Sequence, residues 1–586
     1  MNFFKIFFAS CLGSFLGLIA LGVVLIFMST TIFSGLADKS DQKISKESVL
    51  QLKLEKPINE LEENNSFENF LPSGLSQSLG LIKIIQTIDY ATTDSNIKGI
   101  YLNTRYLNTG FASLEEIRAA LLRFKSSGKW IVSYGDFYSE GAYYLASVSN
   151  KVYMNPEGEV EFNGLTTSMV FFKKMFDRLE IKPHVFRVGN FKSAVEPFMR
   201  ESISEENKLQ QDSLLETVYS NLLTSISDSR SIPKAELRRI SDQMLVRSAA
   251  LATSFNLVDS LCYEDEVSDK LKGLLNIDKD SDLPLVSYNK YKKTVKFNLT
   301  SKNVIAVVTA DGAITLGRSS GGNVGADSFC QDLREVRDNE DVKAVVLRIN
   351  SPGGAFLASD KMWREIILTK EKKPVIASMS NVAASGGYYL AMSCDSIVLQ
   401  PTTITGSIGV FGLLFDISPF LDKKIGITTS EVKTGEIGNL FSSLHTMTET
   451  EKSIIQNQTD LVYETFTQKA AEGRSMTESD LKKIASGRVW AGLQAKENGL
   501  ADVLGGFNDA VRIASEKAKI SDDYKLIYFP KPKPILEQFY EEWQEETNLK
   551  ALKNELGVFY DFYKGWKEAK SYQGIQARMP YDFKIN

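Results

Sequence analysis

The chain has 586 residues, 43% apolar and 24% charged, which is too long for one compact core and ordinary for a globular protein with one added apolar segment. Its net charge of -5 leaves no basic field to recruit nucleic acid. Two histidines, His184 and His445, and four cysteines without CxxC spacing argue against a metal centre and give a Ser-His-Asp triad little support.

The first expected element is a membrane span. No charged residue occurs between Lys5 and Asp38, and such a run can cross a hydrocarbon core of roughly 30 Å. Gly35-Leu-Ala37 could serve as a signal cleavage site, but the apolar stretch far exceeds the ~7–15 residues of a signal h-region. An uncleaved anchor within residues 1–40 is therefore expected. Lys39, Lys43 and Lys46 after the span outnumber Lys5 before it, so flanking charge alone does not favour export of the body.

Downstream, the chain repeats itself. Gly141-Ala-Tyr-Tyr-Leu-Ala146 returns as Gly386-Gly-Tyr-Tyr-Leu-Ala391, an offset of 245. The same offset pairs Pro156 with Pro401, Gly164 with Gly409, and Ile97-Lys-Gly-Ile100 with Val342-Lys-Ala-Val345. Each copy alternates short β-branched runs with amphipathic stretches. In the second copy, strands are expected at 304–308, 344–349 and 374–378, with a helix over 326–337. This βαβ order with near-continuous apolar strands predicts a buried parallel sheet. Long helices are expected to start at the capping boxes Ser202-Ile-Ser-Glu205 and Thr448-Glu-Thr-Glu451. The organisation read from this is an anchor at 1–40, a first repeat at 41–300 ending in a polar linker from about 270, a second repeat at 301–528, and a helical tail at 529–586.

Three glycine-rich features of the second copy can carry chemistry. Asn350-Ser-Pro-Gly-Gly354 follows a buried strand, and paired glycines there let backbone N–H groups face a cavity as an oxyanion site needs. The first copy has no such glycines. Ala383-Ala-Ser-Gly-Gly387 opens the Tyr-Tyr-Leu-Ala helix, where Ser385 could serve as a nucleophile but reads better as an N-cap. Thr405-Gly-Ser-Ile-Gly409 sets Ser407 between glycines at an expected helix entry, where the first copy has Phe162. Conversely, Lys192 in Gly189-Asn-Phe-Lys192 meets only Gly438 or Phe441 of the second copy. Each copy thus keeps one half of a Ser/Lys pair, with Ser407 as candidate nucleophile and Lys192 as candidate base.

The segments Gly189-Asn-Phe-Lys-Ser-Ala-Val-Glu-Pro-Phe198, Arg348-Ile-Asn-Ser-Pro-Gly-Gly354, Ala383-Ala-Ser-Gly-Gly-Tyr388, Thr405-Gly-Ser-Ile-Gly409 and Gly487-Arg-Val-Trp490 together resemble the long form of signal peptide peptidase A. That resemblance covers nearly the whole chain after the anchor and implies a tandem Clp/crotonase-like α/β fold. It implies Ser407 as nucleophile, Lys192 as general base, and Gly353 and Gly354 lining the oxyanion site, with no cofactor or metal. It also implies a homo-oligomer, taken as a tetramer, held by one helix on the outer, periplasmic face of a bacterial inner membrane and degrading released signal peptides and other apolar peptides. Two other classes fit parts of the pattern: a crotonase-like acyl-thioester enzyme and a non-catalytic membrane scaffold. For a Ser/Lys mechanism the amine must be neutral, which burial among Phe191, Val195 and Phe198 would favour and Glu196 would oppose.

Overall fold

A computed structural model describes residues 44–62, 78–296, 300–531 and 574–579, with isolated positions between 13 and 22 and between 552 and 560. The expected membrane span lies largely outside the described residues. Among the described residues, no helix is long and apolar enough to cross a membrane.

Each half builds its own sheet around its own core. The first sheet runs Ser260–Leu261, Lys151–Val160, Trp130–Tyr138, Ile97–Leu102, Ser48–Leu52, Leu285–Ser287, and every pairing in it is parallel. The second repeats the layout with Val375–Ala384, Val342–Ser351, Val304–Asp311 and Lys525–Phe529, also parallel. Ser396–Leu399 and Ile404–Gly406 both lie along Val375–Ala384, and Val489–Ala491 closes that edge antiparallel. Val304–Asp311 is buried along almost its whole length, as a central strand covered on both faces must be. Helices such as Leu81–Thr93 and Ala326–Asp338 supply the cover through buried Ile84, Ile88, Phe329 and Leu333.

Two devices join the halves. Lys182–Arg187 of the first half pairs antiparallel with Phe411–Asp416 of the second, in a separate sheet that also holds Gly353–Ala355. Arg348, fully buried, donates to Glu60 and Glu116 of the first half at 2.6 Å each, and to Ser378 at 2.9 Å. A buried guanidinium with both carboxylates satisfied fixes orientation, because losing either partner leaves an uncompensated charge.

Three expectations change. The polar stretch from 270 to 302 is more than a linker: it supplies Leu285–Ser287 as the sixth strand of the first sheet, matching Lys525–Phe529 in the second. The tail read as helical contributes a strand, Gly574–Arg578, between Gly353–Ala355 and Phe411–Asp416. The long helix expected from Ser202 starts at Glu205 with Ser204 as its cap, because Glu196 accepts hydrogen bonds from both the hydroxyl and the N–H of Ser204. Its counterpart Glu449–Arg474 has Thr448 and Glu451 closing the expected box.

Candidate active site

The cross-half pairing delivers Lys192. Beyond Lys182–Arg187 the chain turns at Gly189, whose φ of +91° and close packing on Ser486 favour glycine. Lys192 then heads a short 3-10 turn, Ser193–Val195. Its side chain is fully buried. The Nζ lies 2.9 Å from Ser385 Oγ, 3.0 Å from Ser407 Oγ and 3.1 Å from the Ser407 carbonyl oxygen. The lysine stem runs past two glycines of the sequence motifs. A Cβ on Gly487 would stand 2.6 Å from Lys192 Cβ, and one on Gly409 would stand 3.4 Å from Lys192 Cδ.

Burial alone pushes the Lys192 amine well below the usual lysine range. Val195 and Phe198 belong to an apolar cluster with Phe411 and Leu413, while Phe191 is half-buried under the Arg488 guanidinium. Glu196 is fully buried but turned away: it accepts from Ser204 and from Asn207 Nδ2 at 2.9 Å, at the start of the next helix.

Ser385 sits at the turn between strand Val375–Ala384 and helix Gly386–Ala391, with φ +55° and ψ −113°. Its side chain makes no capping bond, so its reading as an N-cap is corrected. The hydroxyl instead meets Lys192 and approaches Gly409 O at 3.4 Å. Ser407 is also placed differently from expectation. It lies between strands Ile404–Gly406 and Phe411–Asp416, not at a helix entry, so no helix dipole acts on it. Its N–H donates to Arg488 O at 2.7 Å and its φ is +50°.

Gly353 and Gly354 are buried beside the Ser385 turn. Gly353 has φ +93°, and a Cβ there would stand 2.5 Å from the backbone nitrogen of Gly386, the residue after Ser385. The Gly353 N–H is held by Ser351 Oγ at 3.2 Å. Gln210 was not singled out from the sequence, where it is one polar residue in a polar helix. Its Nε2 donates to Phe191 O and Ser193 Oγ at 3.3 and 2.9 Å, and its Oε1 accepts from Val489 N at 3.2 Å. It therefore ties both neighbours of Lys192 to the strand that flanks Ser407. His445 pairs with Glu451 at 3.2 Å, and His184 lies opposite Leu414 on the joining strand. Among the described residues, no group of three or more His, Cys, Asp or Glu could hold a metal ion.

Fold and site together define a duplicated α/β protein with one buried amine shared by two serine hydroxyls at the junction of its halves. The model of peptidase family S49 matches residues 123–278 and 367–521, one stretch in each half. Among curated proteins, the chloroplastic serine protease SPPA of Arabidopsis thaliana is 35% identical over 92% of this chain and 78% of its own length. Protease 4 of Haemophilus influenzae is 32% identical over 92% of this chain and 88% of its own, and Protease 4 of Salmonella typhi is 35% identical over 79% and 75%. The chain belongs to peptidase family S49. It is a serine peptidase of the signal peptide peptidase A type, and the acyl-thioester and scaffold readings give way to that membership.

Proposed function

We propose that the chain is a membrane-anchored endopeptidase whose Ser/Lys machinery consists of Lys192, Ser385 and Ser407, with Ser385 the better candidate nucleophile. The observation that carries this is the 2.9 Å contact between a fully buried amine and a hydroxyl at a strand-to-helix turn. A neutral amine has two N–H groups and one lone pair. Its N–H groups suit the Ser407 carbonyl and hydroxyl oxygens, which leaves the lone pair for the Ser385 proton. Ser407, expected from the sequence as the nucleophile, has the same reach to Lys192. What favours Ser385 is its surroundings: the next N–H, that of Gly386, lies against the Gly353 loop at a helix start.

In this mechanism Lys192 takes the Ser385 proton as Oγ attacks the peptide carbonyl. The Gly386 N–H, beside the loop of Gly353 and Gly354, meets the developing oxyanion, and the ammonium then protonates the leaving amine. Water activated by the same lysine releases the acyl group. Released signal peptides and similar apolar segments are the proposed substrates, and the uncharged run from 6 to 37 supports an anchor beside them. A periplasm-facing body on a bacterial inner membrane, assembled as a homo-oligomer, completes the proposal.

A serine-reactive fluorophosphonate, followed by identification of the labelled residue, tests the assignment. Label is expected on Ser385. Ser385→Ala should lower kcat by on the order of 10³-fold or more, and Ser407→Ala by roughly 10–10² through a misplaced amine. Label on Ser407 that survives Ser385→Ala exchanges the two roles.

A further inference from the structure

Lys192 comes from the first half and Ser407 from the second, so their spacing depends on groups that touch both. A short second-half segment, residues 486–489, runs between them. Ser486 O accepts from Phe191 N at 3.2 Å, and Gly487 N donates to Ile408 O at 2.8 Å. The peptide group joining Arg488 to Val489 is used on both sides. Its carbonyl accepts from Ser407 N at 2.7 Å, and its N–H donates to Gln210 Oε1 at 3.2 Å. The same side-chain amide turns its Nε2 to the lysine turn, 3.3 Å from Phe191 O and 2.9 Å from Ser193 Oγ. One side-chain amide and one peptide group therefore connect the backbone on either side of Lys192 to the backbone of Ser407.

We infer that Gln210 is a positioning residue for the peptidase reaction, its amide setting where the Lys192 amine stands against Ser407 and Ser385. The inference rests on the Ser/Lys reading above. The chemistry asks for an amide: Val489 N–H only donates and Phe191 O only accepts, so the bridging group must accept at one end and donate at the other. Glutamate of the same length lacks the donor, and methionine lacks both. Gln210 is itself buried and braced, because its Nε2 also lies 3.0 Å from Asn207 Oδ1, while Asn207 Nδ2 holds the Glu196 carboxylate at 2.9 Å. The relay that turns Glu196 away from the amine thus ends at the group that places the amine. One turn further along helix Glu205–Arg230, Leu214 packs with Val489, Ala491 and Ile404, and Ser213 Oγ accepts from Gln494 Nε2 at 2.8 Å. Those contacts dock the helix on strand Val489–Ala491 through residues apart from the lysine turn, so docking and positioning are separable. A displacement of about 1 Å at a reacting group costs on the order of 10²-fold in rate, which gives a single clamp of this kind a measurable effect.

The test uses the full chain and one fluorogenic apolar peptide. Gln210→Met keeps the length and removes both bonds, and kcat should fall about tenfold or more with KM within about twofold. Ser213→Ala, on the same helix face, should leave kcat within about twofold. Gln210→Glu keeps an acceptor for Val489 N and sets a carboxylate beside the lysine turn. A neighbouring negative charge favours the ammonium, so the acid limb of the kcat profile should move up by roughly half a pH unit or more. Arg187, Glu196 and Arg488, charged neighbours of this turn, are unaltered in that variant. Wild-type kcat in Gln210→Met overturns the inference, as does an equal loss in Ser213→Ala. If Gln210→Met does not fold, the glutamate variant decides, and an unmoved acid limb there overturns the inference. Adding Gln210→Met to Lys192→Met should lower the residual rate no further, because both act through one amine. A further drop of about tenfold there would place the action of Gln210 elsewhere and overturn the inference. Lys192→Met at the wild-type rate removes the Ser/Lys reading itself. Loss of rate in Lys192→Met with none in Gln210→Met removes the inference alone.

Discussion

Where a central strand meets the Tyr-Tyr-Leu-Ala helix, the first half carries Glu140 and the second Ser385, 245 positions on. In the first half, Ser139 adopts φ −65° and caps the helix by accepting from Ala142 N at 3.3 Å. Glu140 accepts from Gly164 N at 3.0 Å and from the Tyr219 hydroxyl at 3.1 Å. In the second half, Ser385 takes φ +55°, leaves the helix uncapped, and reaches toward Gly409, the repeat partner of Gly164. A second contrast follows the first. Phe162 packs edge-on against Tyr143 with centroids 5.9 Å apart, while its counterpart Ser407 turns to Lys192. One copy closes this corner with packing and satisfied hydrogen bonds. The other holds strained backbone at two serines, the local inconsistency expected where a fold is bent to chemistry.

The largest effect should come from the residue that crosses between the copies. Lys192→Met keeps the volume of the stem and removes the base, and kcat should fall roughly 10²–10⁴-fold. In the wild type, the rate should rise with pH through a value well below the ordinary lysine range, because only the neutral amine accepts the proton. Along the pH axis stability should rise with activity, whereas in the variant the two should move in opposite directions. Burial depresses the folded pKa, so the cost of the amine is absent above the unfolded value of about 10.4 and grows as pH falls from there toward the folded value. Lys192→Met should therefore raise Tm at neutral pH while abolishing hydrolysis. A lower Tm for the variant would mean that the amine is held charged.

Next in size is Gly353→Ala. The residue sits at φ +93°, and its Cβ would meet the Gly386 nitrogen at 2.5 Å as well as the Ala577 oxygen, all of it backbone. The loop must shift, and a displacement of about 1 Å beside the reacting carbonyl costs on the order of 10²-fold in kcat. The matching first-copy position is Asn108, whose carbonyl accepts from Ile58 N, and Asn108→Ala should leave kcat within about twofold. Equal losses at both positions, measured on one fluorogenic peptide, would break the contrast between the copies.

Much of this was legible in the sequence because a duplication acts as an internal control. The 245 offset exposes the parallel sheets, and each residue that one copy alone carries stands out. Lys192 and Ser407 were found that way. The choice between Ser385 and Ser407 was not legible: both lie beside glycines, and the difference is a backbone conformation and a neighbouring loop. Nor was the sixth strand of the first sheet, since Leu285–Ser287 has three residues and buries only Val286. The tail strand shows only a brief alternation, Ile575, Ala577 and Met579 against Gln576 and Arg578, and its partner Gly353 lies more than two hundred positions earlier.

The smallest expected effect tests whether the first copy's corner is purely structural. Burial raises the Glu140 carboxyl from 4.5 to about 7, against the pull of the Gly164 and Tyr219 hydrogen bonds. The folded chain then holds a proton that the unfolded chain has released. The stability linked to Glu140 is fully present below about 4.5 and is lost as pH rises through about 7. Glu140→Gln keeps an oxygen acceptor for both donors and removes the titration. Its Tm should match wild type near pH 5 and exceed it near pH 8, with kcat changed less than about twofold. Melting curves that run parallel across that window would show that the carboxylate stays ionised in the fold. A large loss of kcat would show that the corner built by Glu140 and Tyr219 supports the distant lysine, and the two copies would then share the active site more evenly than the contacts of Lys192 imply.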